Sequence, residues 1–167
     1  MKAMNTIKKF GYKILRKFGI VGKEYQLLPS NFPVANINTT FNQIGKLNPR
    51  VTHPTEYVVL GVLASITKQN ILEVGCYLGY SSCIMASAIS SDRKIFSVDR
   101  FEIPKNWSKK TSDNWIFKNY SQIEWATKNR NALGFESKIT FVESDSKSYA
   151  AELRNMRDRP KFDLIFI

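Results

Sequence analysis

The sequence predicts a doubly wound α/β domain on a parallel sheet, and three observations predict it. Short runs such as ILEVG, IFSV, ITFV and FDLIFI are almost continuously apolar, which suits strands buried on both faces. They alternate with segments of helical period, as right-handed crossovers between parallel strands require. Finally, 167 residues with 43% apolar and 23% charged side chains suffice for one core, and no compositional shift asks for a second.

The elements follow in order. Residues 1–28 read as a basic amphipathic segment: Ile7, Phe10, Ile14 and Phe18 recur at helical spacing among Lys2, Lys8, Lys9, Lys13, Arg16, Lys17 and Lys23. Such a helix docks on its own domain or on an anionic or membrane surface. Charges interrupt every apolar stretch, so it is neither a signal peptide nor a span. Residues 29–50 are rich in Asn, Pro and Thr and read as a loop or linker. The domain proper is placed at 51–167. Thr52 or His53 caps a first helix with Pro54 at its first position and Tyr57, Leu60, Val62, Leu63 and Ile66 as its buried stripe. Strands are expected at Asn70–Gly75, Lys94–Val98, Lys138–Val142 and Phe162–Ile167. Helices are expected at Tyr80–Ser90, Trp115–Leu133 closed by Gly134, and Ser146–Asn155.

Cys76 and Cys83 lie too far apart for a redox CxxC and match no zinc or disulfide spacing. They read as reduced packing residues of a cytoplasmic protein. His53 is the only histidine, which argues against a histidine metal site or a Ser-His-Asp triad.

A doubly wound sheet binds its ligand beyond the carboxyl ends of its strands. There the first loop, Gly75-Cys-Tyr-Leu-Gly79, turns sharply and admits a ligand to main chain. It lacks the dinucleotide spacing, and Glu73 beside it would repel phosphate and favour a cation. Asp99, ending IFSVD, suits the two hydroxyls of a ribose. Ser81 and Ser82 open a helix that attracts a carboxylate. Asp145 suits an exocyclic amine, with Ser146 as N-cap. An adenosine carrying an ammonium, a carboxylate and a further positive centre meets these demands, as S-adenosylmethionine (SAM) does.

At these residues the sequence resembles the class I SAM-dependent methyltransferases, and within them the O-methyltransferases related to catechol O-methyltransferase. LEVGCYLGYSS resembles their glycine loop, VDRF their ribose-binding acid, and ITFVESDS their adenine-side segment ahead of FDLIFI; one departure is Ser144, where many relatives have glycine. The long aromatic stretch Phe101–Trp125 looks more like the bacterial branch that modifies sugars and small molecules. The resemblance implies a Rossmann-like methyltransferase domain with SAM bound by Glu73, Gly75, Tyr77, Gly79, Ser81, Asp99 and Asp145. It implies a small-molecule or glycan hydroxyl as acceptor. It also implies further strands after FDLIFI, where the family places an acid that serves as base or ligand of a divalent metal. The expectation is therefore a domain incomplete at its C-terminus that binds cofactor weakly and does not turn over. No catalytic base or metal ligand is assigned, and Asp163 is given to structure.

Two other functions fit parts of the chain. Trp107, Trp115, Tyr120 and Trp125, interleaved with Lys105, Lys109, Lys110, Lys118 and Lys128, suggest a nucleic-acid or anionic-surface module without catalysis; an amphipathic helix and a lid explain them better, since Tyr120 and Ile123 keep helical spacing. A nicotinamide oxidoreductase is disfavoured by Glu73 and the loop spacing.

Overall fold

The fold is seen in a computed structural model, which describes residues 34–47, 54–102 and 120–167. Its elements run α1 Val34–Leu47, α2 Pro54–Ser65, β1 Asn70–Val74, α3 Tyr80–Ala88, β2 Ile95–Asp99, α4 Gln122–Ala132, β3 Ile139–Glu143, α5 Ser146–Asn155 and β4 Phe162–Phe166. The strands form one parallel sheet in the order β3-β2-β1-β4. The chain winds outward from β1 through β2 to β3, then crosses back to β4. The reversal lies between β1 and β4, where such sheets open a binding crevice.

Register explains the core. Ile71 pairs with Ile95 and Ile95 with Ile139, so the three isoleucines line one face. All are fully buried, against Cys83, Ile84 and Met85 of α3. α1 and α2 close the same side, approaching so tightly that a Cβ on Gly61 would lie 2.5 Å from Ile37 Cδ1. On the other face Phe96 meets Phe162 edge-on at 5.6 Å, and α5 buries Tyr149.

Several expectations need correction. Val34–Leu47 lies inside the stretch read as a linker and is a helix: Ile37, Thr40 and Ile44 are buried along one face, a stripe that the surrounding Asn and Thr conceal. Ile66 belongs to no stripe, because α2 ends at Ser65 and leaves Ile66 58% exposed. The helix before Gly134 begins at Gln122, with Ser121 as N-cap in a capping box with Glu124; Tyr120 therefore precedes it and its spacing to Ile123 is not helical. Asp145, rather than Ser146, is the N-cap of α5. Gly134 closes α4 as expected, with φ 71°. The N-terminal segment, the Thr52/His53 cap and the residues from 103 to 119, with Trp107 and Trp115, lie outside the described residues.

Candidate functional site

The first loop is shaped by an alternation of backbone hand. Gly75, Tyr77 and Gly79 have φ of 84°, 51° and 75°, with Cys76 and Leu78 between them. Alternation of this kind turns successive amides toward one point and makes an anion-binding nest. Here the anion is Asp99. Its Oδ2 accepts from Cys76 N at 2.8 Å and from Tyr77 N at 2.9 Å, while its Oδ1 accepts from Phe101 N at 2.9 Å. Among the described residues the non-glycine residues with positive φ are Tyr77 and Phe101, and both donate to this carboxylate. A left-handed residue bearing a side chain costs about 1–2 kcal/mol, and a hydrogen bond to a charged group contributes about 1.5–3 kcal/mol. Asp99 therefore holds both strained residues in place.

The two glycines serve different ends. A Cβ on Gly75 would meet nothing within 4 Å, whereas one on Gly79 would lie 2.9 Å from Phe141 Cζ and 3.4 Å from Ala126 Cβ. Gly75 leaves open space against main chain, fit for a ligand; Gly79 leaves room for an aromatic ring of the fold. Gly75 N also donates to Val98 O at 2.8 Å, which ties the loop to β2.

Glu73 lies beneath this loop rather than in it, fully buried. Ser81 Oγ and Ser82 Oγ donate to its two carboxylate oxygens, and Ser97 Oγ donates to Oε2 at 2.7 Å. Burial pushes its pKa up, the three hydroxyls pull it back, and the charge of Asp99 adds to the rise. The ion pairs among the described residues are Arg93–Asp92 and Arg100–Glu102, and neither involves Glu73. A buried acid with hydroxyl donors and no neighbouring cation is suited to a positive ligand above it. The same bonds commit the hydroxyls of Ser81 and Ser82 to the protein, leaving the first turn of α3 to offer its amides. Cys76 and Cys83 are buried free thiols, with ionisation pushed up by burial, as expected of packing residues.

The third loop joins the same rim. Ser144 N donates to Asp99 O at 2.9 Å, which sets Asp145 beside the end of β2. Its Oδ1 accepts from Lys147 N and Ser148 N, both at 3.0 Å, and its Oδ2 from Ser148 Oγ at 2.6 Å. These bonds, that of the Ser148 hydroxyl first, hold its pKa below the usual carboxylate range. Gly75, Tyr77, Asp99 and Asp145 thus share one rim at the carboxyl ends of the strands, with Glu73 and Ser81 below it and Gly79 turned into the packing. Asp163 lies at the far end of the sheet, where Oδ2 accepts from Lys68 N and Gln69 N; its structural role is as expected.

Sequence reasoning missed two supports. Ser97 is the lone polar side chain inside an apolar strand, in register with Glu73, a signal present in IFSVD. Asn129 donates from Nδ2 to Leu78 O at 3.0 Å, and its buried Oδ1 has no partner among the described residues. A lone buried Asn on a helix carries no such signal in sequence. Among the described residues no group of His, Cys, Asp and Glu could hold a metal, and no helix is long and apolar enough to cross a membrane.

A family model described as O-methyltransferase matches residues 36–167. No curated protein matches by sequence. Among solved structures, the chain is similar to an O-methyltransferase from Bacillus cereus in complex with SAH, at 20% identity and TM-score 0.52 over 98% of this chain and 61% of that one. An O-methyltransferase from Streptomyces achromogenes involved in tomaymycin synthesis, in complex with SAM, matches at 15% identity and TM-score 0.52 over 96% and 60%. The SAH-bound methyltransferase PaMTH1 of Podospora anserina matches at 15% and 0.50 over 98% and 56%. At these identities the likeness concerns the fold, and the chain spans about 60% of the length of the structures it matches.

Proposed function

The chain belongs to the O-methyltransferase family, and from that premise we propose that it binds S-adenosylmethionine at the strand-end rim for transfer of a methyl group to a small-molecule hydroxyl. The observation that carries the reading is Asp99: a carboxylate fixed by three backbone amides at the end of β2, beside a glycine with open space. Three amides leave about one of its four lone-pair sites for a ribose hydroxyl. Gly75 would take the ligand against main chain, Tyr77 would flank it, and Asp145 would face the adenine side. Glu73 supplies negative charge from below for the ammonium and sulfonium end.

When bound, the group supplies an electrophilic methyl on a sulfonium. The described residues hold and orient it, which is most of what an in-line displacement asks of a protein. Within the family reading, the acceptor is a hydroxyl of a sugar or another small molecule, on the likeness of the stretch after Asp99 to the bacterial branch that modifies sugars and small molecules. The solved relatives bound to SAM or SAH support the choice of cofactor.

The test is a thermal-shift comparison. Any ligand of the folded state raises Tm by mass action, by about 2.7 kcal/mol of stability at a hundredfold excess over Kd. S-adenosylhomocysteine (SAH) should raise it and NAD should not. A rise with NAD alone would return the site to the nicotinamide reading.

A further inference from the structure

The amino ends of the strands form a second pole, opposite the rim, with the reverse chemistry. Parallel pairing sets the residues before β1, β2 and β4 side by side. Asn70 Oδ1 accepts from Lys94 N at 2.9 Å, Asn70 Nδ2 donates to Lys161 O at 3.3 Å, and Lys68 N donates to Asp163 Oδ2 at 2.7 Å. Lys68, Lys94 and Lys161 are exposed around that junction. α5 returns antiparallel to the strands and brings Arg154 to the same edge, and its connection to β4 adds Arg157 and Arg159, also exposed.

The acids at this pole, Asp92, Glu136, Glu152, Asp158 and Asp163, balance only part of the charge of Lys68, Arg93, Lys94, Arg154, Arg157, Arg159 and Lys161. Asp163 is held by two amides, and Asp92 by Ser90 and Arg93. Ile66 stands among the cations. Thr67 is buried, with both N and Oγ1 donating to Ala64 O at 3.2 and 2.7 Å, and this turn sets Ile66 outward at 58% exposure, two residues from Lys68.

We propose that this pole docks on an anionic lipid surface, its cations on the headgroups and Ile66 in the interface. Each Lys or Arg close to such a surface adds an attraction that salt screens, and an apolar side chain among them adds a contribution that salt does not screen. A single-stranded nucleic acid would instead want exposed rings to stack on. Tyr120, the exposed ring among the described residues, sits before α4 at the opposite end. Docked this way, the rim with Asp99 faces the aqueous phase.

The test is co-sedimentation of the full chain with phosphatidylglycerol–phosphatidylcholine vesicles and with phosphatidylcholine vesicles alone. The wild type should prefer the anionic vesicles and leave them as salt rises. The Lys68→Glu/Lys94→Glu/Lys161→Glu variant, its fold checked by circular dichroism, should bind at least about tenfold more weakly. Ile66→Ser should lose the part of the binding that persists in salt. Equal binding to neutral vesicles would overturn the proposal. So would a loss confined to a Lys8→Glu/Lys9→Glu/Lys13→Glu variant, which would assign the binding to the N-terminal segment, or a triple variant that keeps vesicle binding while losing affinity for single-stranded RNA.

Discussion

Asp99 is the residue on which the site turns, because one carboxylate satisfies the amides of Tyr77 and Phe101 in their left-handed conformations. Asp99→Ala should cost about 3 kcal/mol in urea unfolding, since it removes the charge-assisted bonds and leaves the strain. Asp99→Asn keeps one acceptor oxygen and should cost less than half as much, yet weaken cofactor binding comparably. Equal costs for the two variants would mean that the amides do not depend on the charge. Glu73 gives a prediction in pH. Its pKa is raised by burial above the ordinary 4.5, so its contribution to stability is present below that value and is lost as pH rises through the folded value. Glu73→Gln, which does not titrate, should gain stability relative to wild type between acidic and neutral pH; denaturation curves at both ends measure it. The sequence showed that acids end these strands, but not what they face. That depends on which lone pairs the backbone takes, and Ser81 and Ser82, read as ligand donors, are turned to Glu73 by the burial of the strand beneath them.

At the scale of elements, the strands and the presence of α3 to α5 were legible because their apolar runs act locally, whereas the start of α4 and the cap of α5 were not, since Ser121 and Asp145 cap only once the chain before them has turned. α1 was not legible. Its buried Ile37, Thr40 and Ile44 keep helical spacing, but a stripe with a threonine in it, set among asparagines, becomes a helix only when α2 and α3 supply the surface to pack on. The glycine loop tests how well local chemistry maps to role. Gly79→Ala must displace Phe141 as well as hold φ at 75°, and should cost about 2–3 kcal/mol. Gly75→Ala meets no neighbour and should cost only about 1–2 kcal/mol for its left-handed φ, while impairing SAH binding more than Gly79→Ala does relative to its cost in stability. Matched denaturation and ligand thermal-shift series on the two variants separate these outcomes.

At the scale of the molecule, parallel strands give the domain two unlike ends. The carboxyl end gathers Glu73, Asp99 and Asp145, and the amino end gathers lysines and arginines. The doubly wound class was legible from alternation alone, since buried parallel strands leave few other solutions. The polarity of charge was not, because it emerges only when register sets the strand starts side by side. Whether Asp99 and the Gly75 loop form one cofactor site, as proposed, is tested by amide NMR shifts on titration with SAH, even where affinity is low. Saturable shifts centred on the amides of Gly75, Cys76, Tyr77, Phe101 and Ser144, absent with NAD, are the expected result. Shifts confined to the amino-end pole, or none in that loop at saturating ligand, would contradict it.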